Sequence, residues 1–333
     1  MIQQPAETIA STPLLEGLRV GISGAVPERQ YWGDVPDLDR LILAFVGQLS
    51  ALIVRYGGEV VHGSQPLLTP VVAEQVRRQS HEGLRPLKLF ASQLFGDLPE
   101  VTWRAARMAQ AEVVLTRQVG KGDYRHPETR NNSLTAMRLA MIQDIDVLVA
   151  VGGKLHIDTG YNPGVMEELA LARWHRVPCF IVGAFSGAAG QLKHPILEEL
   201  STGNLLEADA MPILDIATWS DSMDEYVGKL LAHLARYKEQ FSKARQIGYR
   251  PSFFKFSVQS DDIVETSSGR ARVLNVDPEV VSAWSARFAY LMRAVEQKDI
   301  EEARKVLSSP GPDSEGSQQD KGSSMNGLYS TEG

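Results

Sequence analysis

The sequence predicts an α/β fold: a doubly wound, mostly parallel Rossmann-like sheet with a C-terminal helical extension and a disordered tail. Short apolar runs alternate with amphipathic helical patterns about six times over roughly 200 residues. Some runs, such as 146–153 (DVLVAVGG), are apolar throughout, which is typical of strands covered by helices on both faces. Glycine-containing turns follow several of these runs.

The strands and helices follow from these patterns in chain order. The predicted strands span 18–26, 59–64, 87–92, 111–119, 146–153 and 178–185. The predicted helices span 37–57, 69–80, 101–110, 133–145 and 163–176. Thr69 is the expected N-cap of one helix, with Pro70 in its first turn, and Ser133 is the expected cap of another.

The alternation of apolar runs and helical patterns ends near residue 220. A long amphipathic helix is predicted near 222–247, an irregular or weakly β segment over 251–277, and one or two helices from Pro278. The final segment is polar and rich in glycine and serine, which is typical of disorder. The predicted divisions are a flexible N-terminus (1–15), a Rossmann-like domain (16–220), a helical extension (221–308) and a disordered tail (309–333).

Composition narrows the function classes. The chain has 333 residues, 43% of them hydrophobic, and a net charge of −7. This acidic balance excludes a global basic field for duplex nucleic acid, although a local basic pocket for a small anion stays possible. The single cysteine, Cys179, lies in an apolar run and is expected to be a buried core thiol. We find neither a signal peptide nor a membrane-spanning run, so a cytoplasmic protein without membrane contact is expected.

Glycines and serines mark the ends of four predicted strands. The residues are Ser23 and Gly24; Gly63 and Ser64; Gly152, Gly153 and Lys154; and Gly183, Ser186 and Gly187. Glycine lets backbone N–H groups approach an anion closely, and a following helix N-terminus adds partial positive charge. Pro163 and Gly164 begin such a helix, which also carries Glu167. The pattern predicts a site for a phosphate or a ribose.

The same residues could have other roles. Glycines at strand ends are common in α/β folds, so a single such turn carries little information. No GxxxxGK[ST] motif occurs, no GxGxxG follows the first strand, and GISGA is not a GxSxG elbow. The second strand ends in His62, where a dinucleotide-binding fold usually has an acidic residue. These absences argue against a P-loop enzyme, an ordinary NAD dehydrogenase and a serine hydrolase.

Metal binding has weak support. His156 and Asp158 could ligate a metal, but two such residues in a loop are more often solvated. No metal and no cofactor is predicted.

The motifs, in order, resemble the SLOG (Smf/DprA–LOG) superfamily: GISGAVPER, GGEVVHGS, DVLVAVGGK, NPGVMEELALA and PCFIVGAFSGAAG. The resemblance covers roughly residues 15–215. The superfamily includes Lonely-Guy phosphoribohydrolases, DprA/Smf proteins, and nucleotide-sensing domains of TRPM channels and bacterial defence systems. The closest similarity is to bacterial SLOG proteins associated with TIR or nucleoside-phosphorylase effectors. The resemblance implies a sensor of a nucleotide-derived ligand, such as an ADP-ribose type or a cyclic nucleotide, that serves antiviral defence or signalling.

The phosphoribohydrolase branch implies an alternative, hydrolysis of a nucleotide N-glycosidic bond. Its PGGxGTxxE motif corresponds here to Gly152-Gly153 and Gly164–Glu168, with an insertion between them and Val165 in place of the threonine. By this resemblance Glu168 matches the catalytic glutamate and Arg138 the family's arginine. Arg138 would hold a ligand phosphate and Glu168 would accept a ribose hydroxyl. The alternatives are that Arg138 reaches solvent or a surface carboxylate, and that Glu168 only complements the helix dipole.

The resemblance also bears on partners. SLOG domains commonly pair, which implies a homo-oligomer, with the helices at 37–57 and 222–247 as candidate interfaces. A separate effector protein is a further expected partner. Binding of single-stranded DNA, as in DprA, has less support because the acidic chain offers no evident groove for a nucleic-acid backbone.

Overall fold

The computed structural model describes residues 14–80, 86–96, 100–155, 160–175, 177–189, 219–246, 259–266 and 269–309. The predicted flexible N-terminus, except residues 14 and 15, and the predicted tail beyond residue 309 lie outside these ranges.

Within the described ranges, eight strands form one sheet in the order β6-β5-β1-β2-β3-β4-β8-β7. They span Arg19–Ala25 (β1), Glu59–His62 (β2), Leu87–Ser92 (β3), Glu112–Thr116 (β4), Val147–Gly152 (β5), Cys179–Val182 (β6), Gln259–Thr266 (β7) and Gly269–Asn275 (β8). Every neighbouring pair is parallel except β7–β8, which is an antiparallel hairpin. The mostly parallel sheet predicted from the apolar runs is therefore confirmed.

Among the described residues, eight α-helices cover the two faces of the sheet. They span Leu38–Arg55 (α1), Thr69–Gln79 (α2), Glu100–Ala109 (α3), Pro127–Asp144 (α4), Gly164–Trp174 (α5), Trp219–Gln246 (α6), Pro278–Glu296 (α7) and Ile300–Ser308 (α8). One core contains buried side chains of α1, α2, α3 and α6, and a second contains those of α4, α5, α7 and α8. Two cores on opposite faces of one parallel sheet are the doubly wound arrangement.

Helix α4 begins six residues earlier than predicted. His126 is its N-cap, with Nδ1 accepting from the Thr129 amide at 3.5 Å, and Pro127 occupies the first turn. Ser133 does not cap the helix; its buried hydroxyl bonds the Val119 amide at 2.9 Å. The six extra residues lengthen α4 at its N-terminus by about 9 Å, because a helix rises about 1.5 Å per residue.

The segment beyond residue 250 contributes to the same sheet. It was predicted to be irregular or weakly β, and its described part is a β-hairpin whose second strand, β8, pairs in parallel with β4, with Val114 opposite Arg272. Periodicity alone cannot reveal this pairing, because it joins residues about 160 positions apart. The proposed boundary near residue 220 stays a prediction, although strands from both sides of it share one sheet.

No helix in the described ranges is both long and apolar enough to cross a membrane.

Candidate functional site

The strand order brings the four predicted loops to one edge. Strands β6, β5, β1 and β2 are direct neighbours, and all four run in the same direction. The carboxyl ends of parallel strands lie at the same edge of a sheet, where ligands of open α/β folds bind. Ser23 and Gly24 lie near the C-terminal end of β1, opposite Ala150 and Val151, and Gly152 ends β5. Gly63 and Ser64 follow β2, and Gly183 follows β6.

Three of the predicted glycines form a tightly packed backbone contact, which we call the glycine junction: Gly152, Gly153 and Gly187. All three have positive φ, of 61°, 102° and 83°. A Cβ on Gly152 would lie 2.5 Å from the Ala25 carbonyl oxygen, and one on Gly187 would overlap the Gly153 carbonyl oxygen. Glycine is therefore required here by backbone conformation and by close packing.

Hydrogen bonds occupy part of this junction. The Gly153 amide donates to the Ala25 carbonyl at 2.7 Å. The amides of Ala188 and Ala189 donate to the carbonyls of Gly153 and Gly152 at 3.1 and 2.7 Å. The Gly153 N–H is thus already bonded within the protein, so the junction ties β1, β5 and the loop after β6 together.

A buried ionic group, the charged cluster, lies beside the junction and consists of Arg138, Glu167 and Glu168. All three residues are buried, with Glu167 fully inaccessible. The Arg138 Nη1 donates to Glu167 Oε2, and its Nε lies 3.6 Å from Glu168 Oε1. The alternatives in which Arg138 reaches solvent or a surface carboxylate are wrong, because its partners are buried carboxylates on α5.

The charged cluster sits where α4, α5 and β2 meet. A Cβ on Gly164, the first residue of α5, would lie 3.0 Å from Arg138 Nη2. A Cβ on Gly63, just after β2, would lie 3.8 Å from Glu168 Oε1. The guanidinium therefore lies against the positive end of α5, an unfavourable position that the two glutamates offset.

Burial raises the pKa of Glu168 above its usual value. Arg138 acts in the opposite direction and lowers this pKa, as does the nearby Ser23 hydroxyl, but desolvation is the larger effect. The carboxyl of Glu168 consequently holds a proton more strongly than an exposed glutamate does. A buried carboxyl with a raised pKa, next to a cation, has the properties of a general acid or base.

Three serine hydroxyls near this edge have no hydrogen-bond partner within the described residues: those of Ser23, Ser64 and Ser186. Their oxygens are buried, although Ser64 and Ser186 are only partly buried as residues. Ser64 also has a φ of 52°, which is uncommon for a residue other than glycine. Buried hydroxyls are usually bonded, so these three could bond a ligand.

The sequence interpretation missed two side chains that hold Glu167. Thr135 donates to Glu167 Oε1 at 2.5 Å, and Asn162 Nδ2 donates to the same oxygen at 3.1 Å. Two signals could have found them: Thr135 lies three residues before Arg138 on one helix, and Asn162 directly precedes Pro163, the N-cap of α5.

Other predicted residues have simpler settings. Lys154 is exposed, and the neighbouring Leu155 amide donates to Glu28 Oε2 at 3.3 Å. Cys179 is buried, as predicted, and burial raises the pKa of its thiol. His156 and Asp158 lie outside the described residues. Among the residues that are described, no three metal-ligating side chains form a group.

A cavity of about 150 Å³ lies elsewhere, between α4 and strands β3, β4 and β8. Its polar lining includes Lys88 and Asp144, whose Nζ and Oδ2 are 2.8 Å apart, and its apolar lining includes Phe90 and Leu139. No predicted site residue lines it. We therefore place the candidate site at the strand ends and not in this cavity.

One family model matches part of the chain, in a range that includes some of the candidate site residues and excludes Ser23, Gly24, Gly63 and Ser64. A family model described as SLOG cluster2 matches residues 105–249. The matched range contains Arg138, the Gly152–Gly153 pair and all of α5. No curated protein matches the chain. Over residues 105–249 the chain is thus similar to SLOG proteins, which supports a SLOG domain in the superfamily that its motifs resemble.

Proposed function

We propose that this chain binds a nucleotide-derived ligand at the carboxyl edge of β6, β5, β1 and β2. The observation that carries the proposal is the charged cluster, in which a buried arginine faces the first turn of α5 beside unbonded serine hydroxyls. The similarity to SLOG cluster2 supports the same ligand class.

The groups around the cluster suit a phosphate and a ribose. The N-terminus of α5 favours an anion, and Arg138 lies against it, although Glu167 and Glu168 compensate much of its charge. The Arg138 Nε has no hydrogen bond within the described residues, and Glu168 Oε1 lies 3.6 Å from it, so a ligand oxygen at this donor would compete with Glu168. The carboxylate of Glu168 can accept from a ribose hydroxyl, and the Ser23 hydroxyl close to it can donate or accept.

Glu167 has a supporting role in this proposal. Its carboxylate is held by Arg138, Thr135 and Asn162, so no bonding capacity is directed to a ligand. By accepting from Nη1, Glu167 fixes the guanidinium in place. A fixed cation loses little entropy when a ligand binds, which favours affinity.

The test is a calorimetric and thermal-shift screen of the full chain against nucleoside monophosphates, cyclic nucleotides, NAD and ADP-ribose. A ligand at a hundredfold excess over its Kd should stabilise the protein by about 2.7 kcal/mol. Ser23→Ala should weaken binding about threefold to tenfold, the value of one hydrogen bond. Ser50→Ala is the matched control, because Ser50 is also buried but bonds Val46 within α1. Absence of any binding by the wild type would refute the proposal.

The second candidate is hydrolysis of a nucleotide N-glycosidic bond. The buried carboxyl of Glu168, with its raised pKa, favours it because such a group can transfer a proton. Sustained release of free base at catalytic protein concentration would establish the enzyme and reject a pure sensor. Glu168→Gln should then abolish base release while retaining much of the binding.

A sensor must also transmit the binding of its ligand. We propose that ligand binding alters α4, that α4 alters the C-terminal helices, and that these act on a separate effector of the TIR or nucleoside-phosphorylase type. Helix α4 carries Arg138 and contacts α7, where Asn132 Nδ2 lies 3.4 Å from Ser282 Oγ. Hydrogen exchange in α7 that slows on ligand binding would support this route. Unchanged exchange there would reject it.

We also propose a homo-oligomer that acts in a bacterial cytoplasm. The candidate interface helices α1 and α6 contact each other within the protomer, so part of each surface is already covered. Sedimentation at micromolar concentration tests this proposal, and a monomer alone would contradict it.

A further inference from the structure

Two exposed aromatic rings lie beyond the ends of β3 and β4. Phe95 follows β3 in a short 3-10 turn and is 42% exposed, and Tyr124 follows β4 and is 41% exposed. Their ring centroids are 6.2 Å apart at an interplanar angle of 38°. These strands are the next neighbours of β2, so the rings continue the edge that carries the charged cluster.

Two guanidinium groups accompany the rings. Arg130, near the start of α4, lies 4.4 Å from the Tyr161 ring and 5.9 Å from the Phe95 ring. Arg125 lies 5.5 Å from the Tyr124 ring, and its carbonyl accepts from the Tyr161 hydroxyl at 3.2 Å. We call these five residues the base platform: Phe95, Tyr124, Arg125, Arg130 and Tyr161.

The segment that carries most of the platform is basic although the chain is acidic. Residues 117–130 contain Arg117, Lys121, Arg125 and Arg130 against Asp123 and Glu128. Exposed aromatic residues occur singly on most proteins and need no explanation. Two rings with guanidinium groups on a locally basic surface form an arrangement that stacks on nucleobases.

The platform connects directly to the charged cluster. Asn162 follows Tyr161 in the chain, and its side-chain Nδ2 donates to Glu167 Oε1 at 3.1 Å. Its backbone N–H donates to the side-chain oxygen of Asn131, the neighbour of Arg130, at 2.9 Å. Arg130 and Arg138 are eight residues apart on one helix, which corresponds to about 12 Å. One extended ligand could therefore contact both groups.

We propose that the base platform stacks on the nucleobase of the ligand while the charged cluster holds its ribose and phosphate portion at the other end. The separation of the two groups favours a pyrophosphate-linked nucleotide over a nucleoside monophosphate. This inference rests on the proposed nucleotide binding and extends it to the ligand's class and orientation.

The structural alternative is that the cation–π contacts only stabilise the loops after β3 and β4. In that case removing a ring lowers stability without affecting ligand preference. Binding of one ligand that carries an adenine base and of another that has no base, to the wild type and to the ring variants, distinguishes these alternatives.

The experiment is calorimetric titration of the full chain with ADP-ribose and with ribose 5-phosphate. The wild type should bind ADP-ribose at least about tenfold more tightly, because stacking contributes about 1–3 kcal/mol per base. Phe95→Ala and Tyr124→Ala should each weaken ADP-ribose binding about tenfold, and together they should remove the preference. Tyr56→Ala is the matched control, because Tyr56 is 37% exposed at the end of α1.

The outcomes separate the two proposals. If the wild type binds ADP-ribose and the platform variants bind it equally well, the platform inference is wrong and nucleotide binding stands. Equal wild-type affinity for ADP-ribose and ribose 5-phosphate also overturns the platform inference. So does a loss of ADP-ribose affinity in Tyr56→Ala as large as that in the platform variants. If the wild type binds no nucleotide in the panel, both proposals fail.

Discussion

The glycine junction and the charged cluster are neighbours at one sheet edge, yet different interactions hold them together. Gly152, Gly153 and Gly187 have left-handed backbone conformations and no room for a side chain. Arg138, Glu167 and Glu168 are long charged side chains buried at the start of α5. The junction is held by backbone packing and the cluster by electrostatic pairing.

The difference shows which residues fix the path of the backbone and which side chains could contact a ligand. Gly153 already donates its amide to Ala25, so this glycine is explained without a ligand. At the cluster, Arg138 Nε and the adjacent Ser23 hydroxyl make no hydrogen bond in the described residues, although both lie close enough to Glu168 to lower its pKa. A ligand could therefore bond them in place of Glu168. A glycine-rich motif can thus shape a site whose contacts come from elsewhere. Four experiments test this distinction, in order of decreasing expected effect.

Arg138→Met should lower the free energy of unfolding by about 3–5 kcal/mol, since it leaves Glu167 buried without its cation. Chemical denaturation measures the change. Arg104→Met is the control, because Arg104 forms an exposed pair with Glu100 on α3 and should cost less than about 1 kcal/mol. A double variant with Glu167→Gln should recover part of the loss. Equal effects of Arg138→Met and Arg104→Met would mean that the cluster is not buried.

Gly187→Ala should lower the free energy of unfolding by about 2–4 kcal/mol, from left-handed strain and overlap with the Gly153 carbonyl. Gly63→Ala is the matched control, because its Cβ would meet nothing closer than 3.5 Å and its φ is ordinary. The control should change stability by less than about 1 kcal/mol. If both variants unfold at the same denaturant concentration, the junction has no special packing requirement.

Thr135→Val should lower the free energy of unfolding by about 1.5–3 kcal/mol, the usual range for a hydrogen bond to a charged group. Thr102→Val, at a buried threonine of α3 on the other face of the sheet, provides a comparison for the change of shape. A double-mutant cycle of Thr135→Val with Glu167→Gln isolates the bond. Additive effects in that cycle would show that the two side chains are uncoupled.

Glu168→Gln should have the smallest effect, and its sign should depend on pH. The folded protein holds the Glu168 proton more tightly than the unfolded chain, so wild-type stability falls as pH rises above the ordinary pKa of 4.5. This loss continues until the pH exceeds the raised pKa in the folded state. Glutamine has no such titration, so the variant should gain stability relative to the wild type over this window. Denaturant midpoints across that pH range test the sign, and a variant that instead loses relative stability as pH rises would contradict the raised pKa.

Much of the fold was predictable because strand and helix patterns are local. The first six strands and the first three helices lie within a few residues of their predicted bounds. The predicted start of α4 was wrong because His126 caps the helix and Pro127 begins it. The Ser133 hydroxyl accepts from the Val119 amide and does not cap the helix. The pairing of β8 with β4 was not predicted, although weak β character was one of the alternatives for this segment, because the pairing joins residues far apart in the sequence.

For the candidate site, the sequence alone determined the residue types: glycines at four strand ends, the Pro-Gly start of α5, and the adjacent glutamates. Its resemblance to SLOG proteins singled out Arg138 and Glu168. Only the tertiary structure decided that Arg138 pairs with Glu167, that Thr135 and Asn162 support this pair, and that β3 and β4 bring aromatic rings to the same edge. The reason is physical. Conformational preference acts over a few residues, whereas burial and charge pairing depend on which strands and helices the fold places side by side.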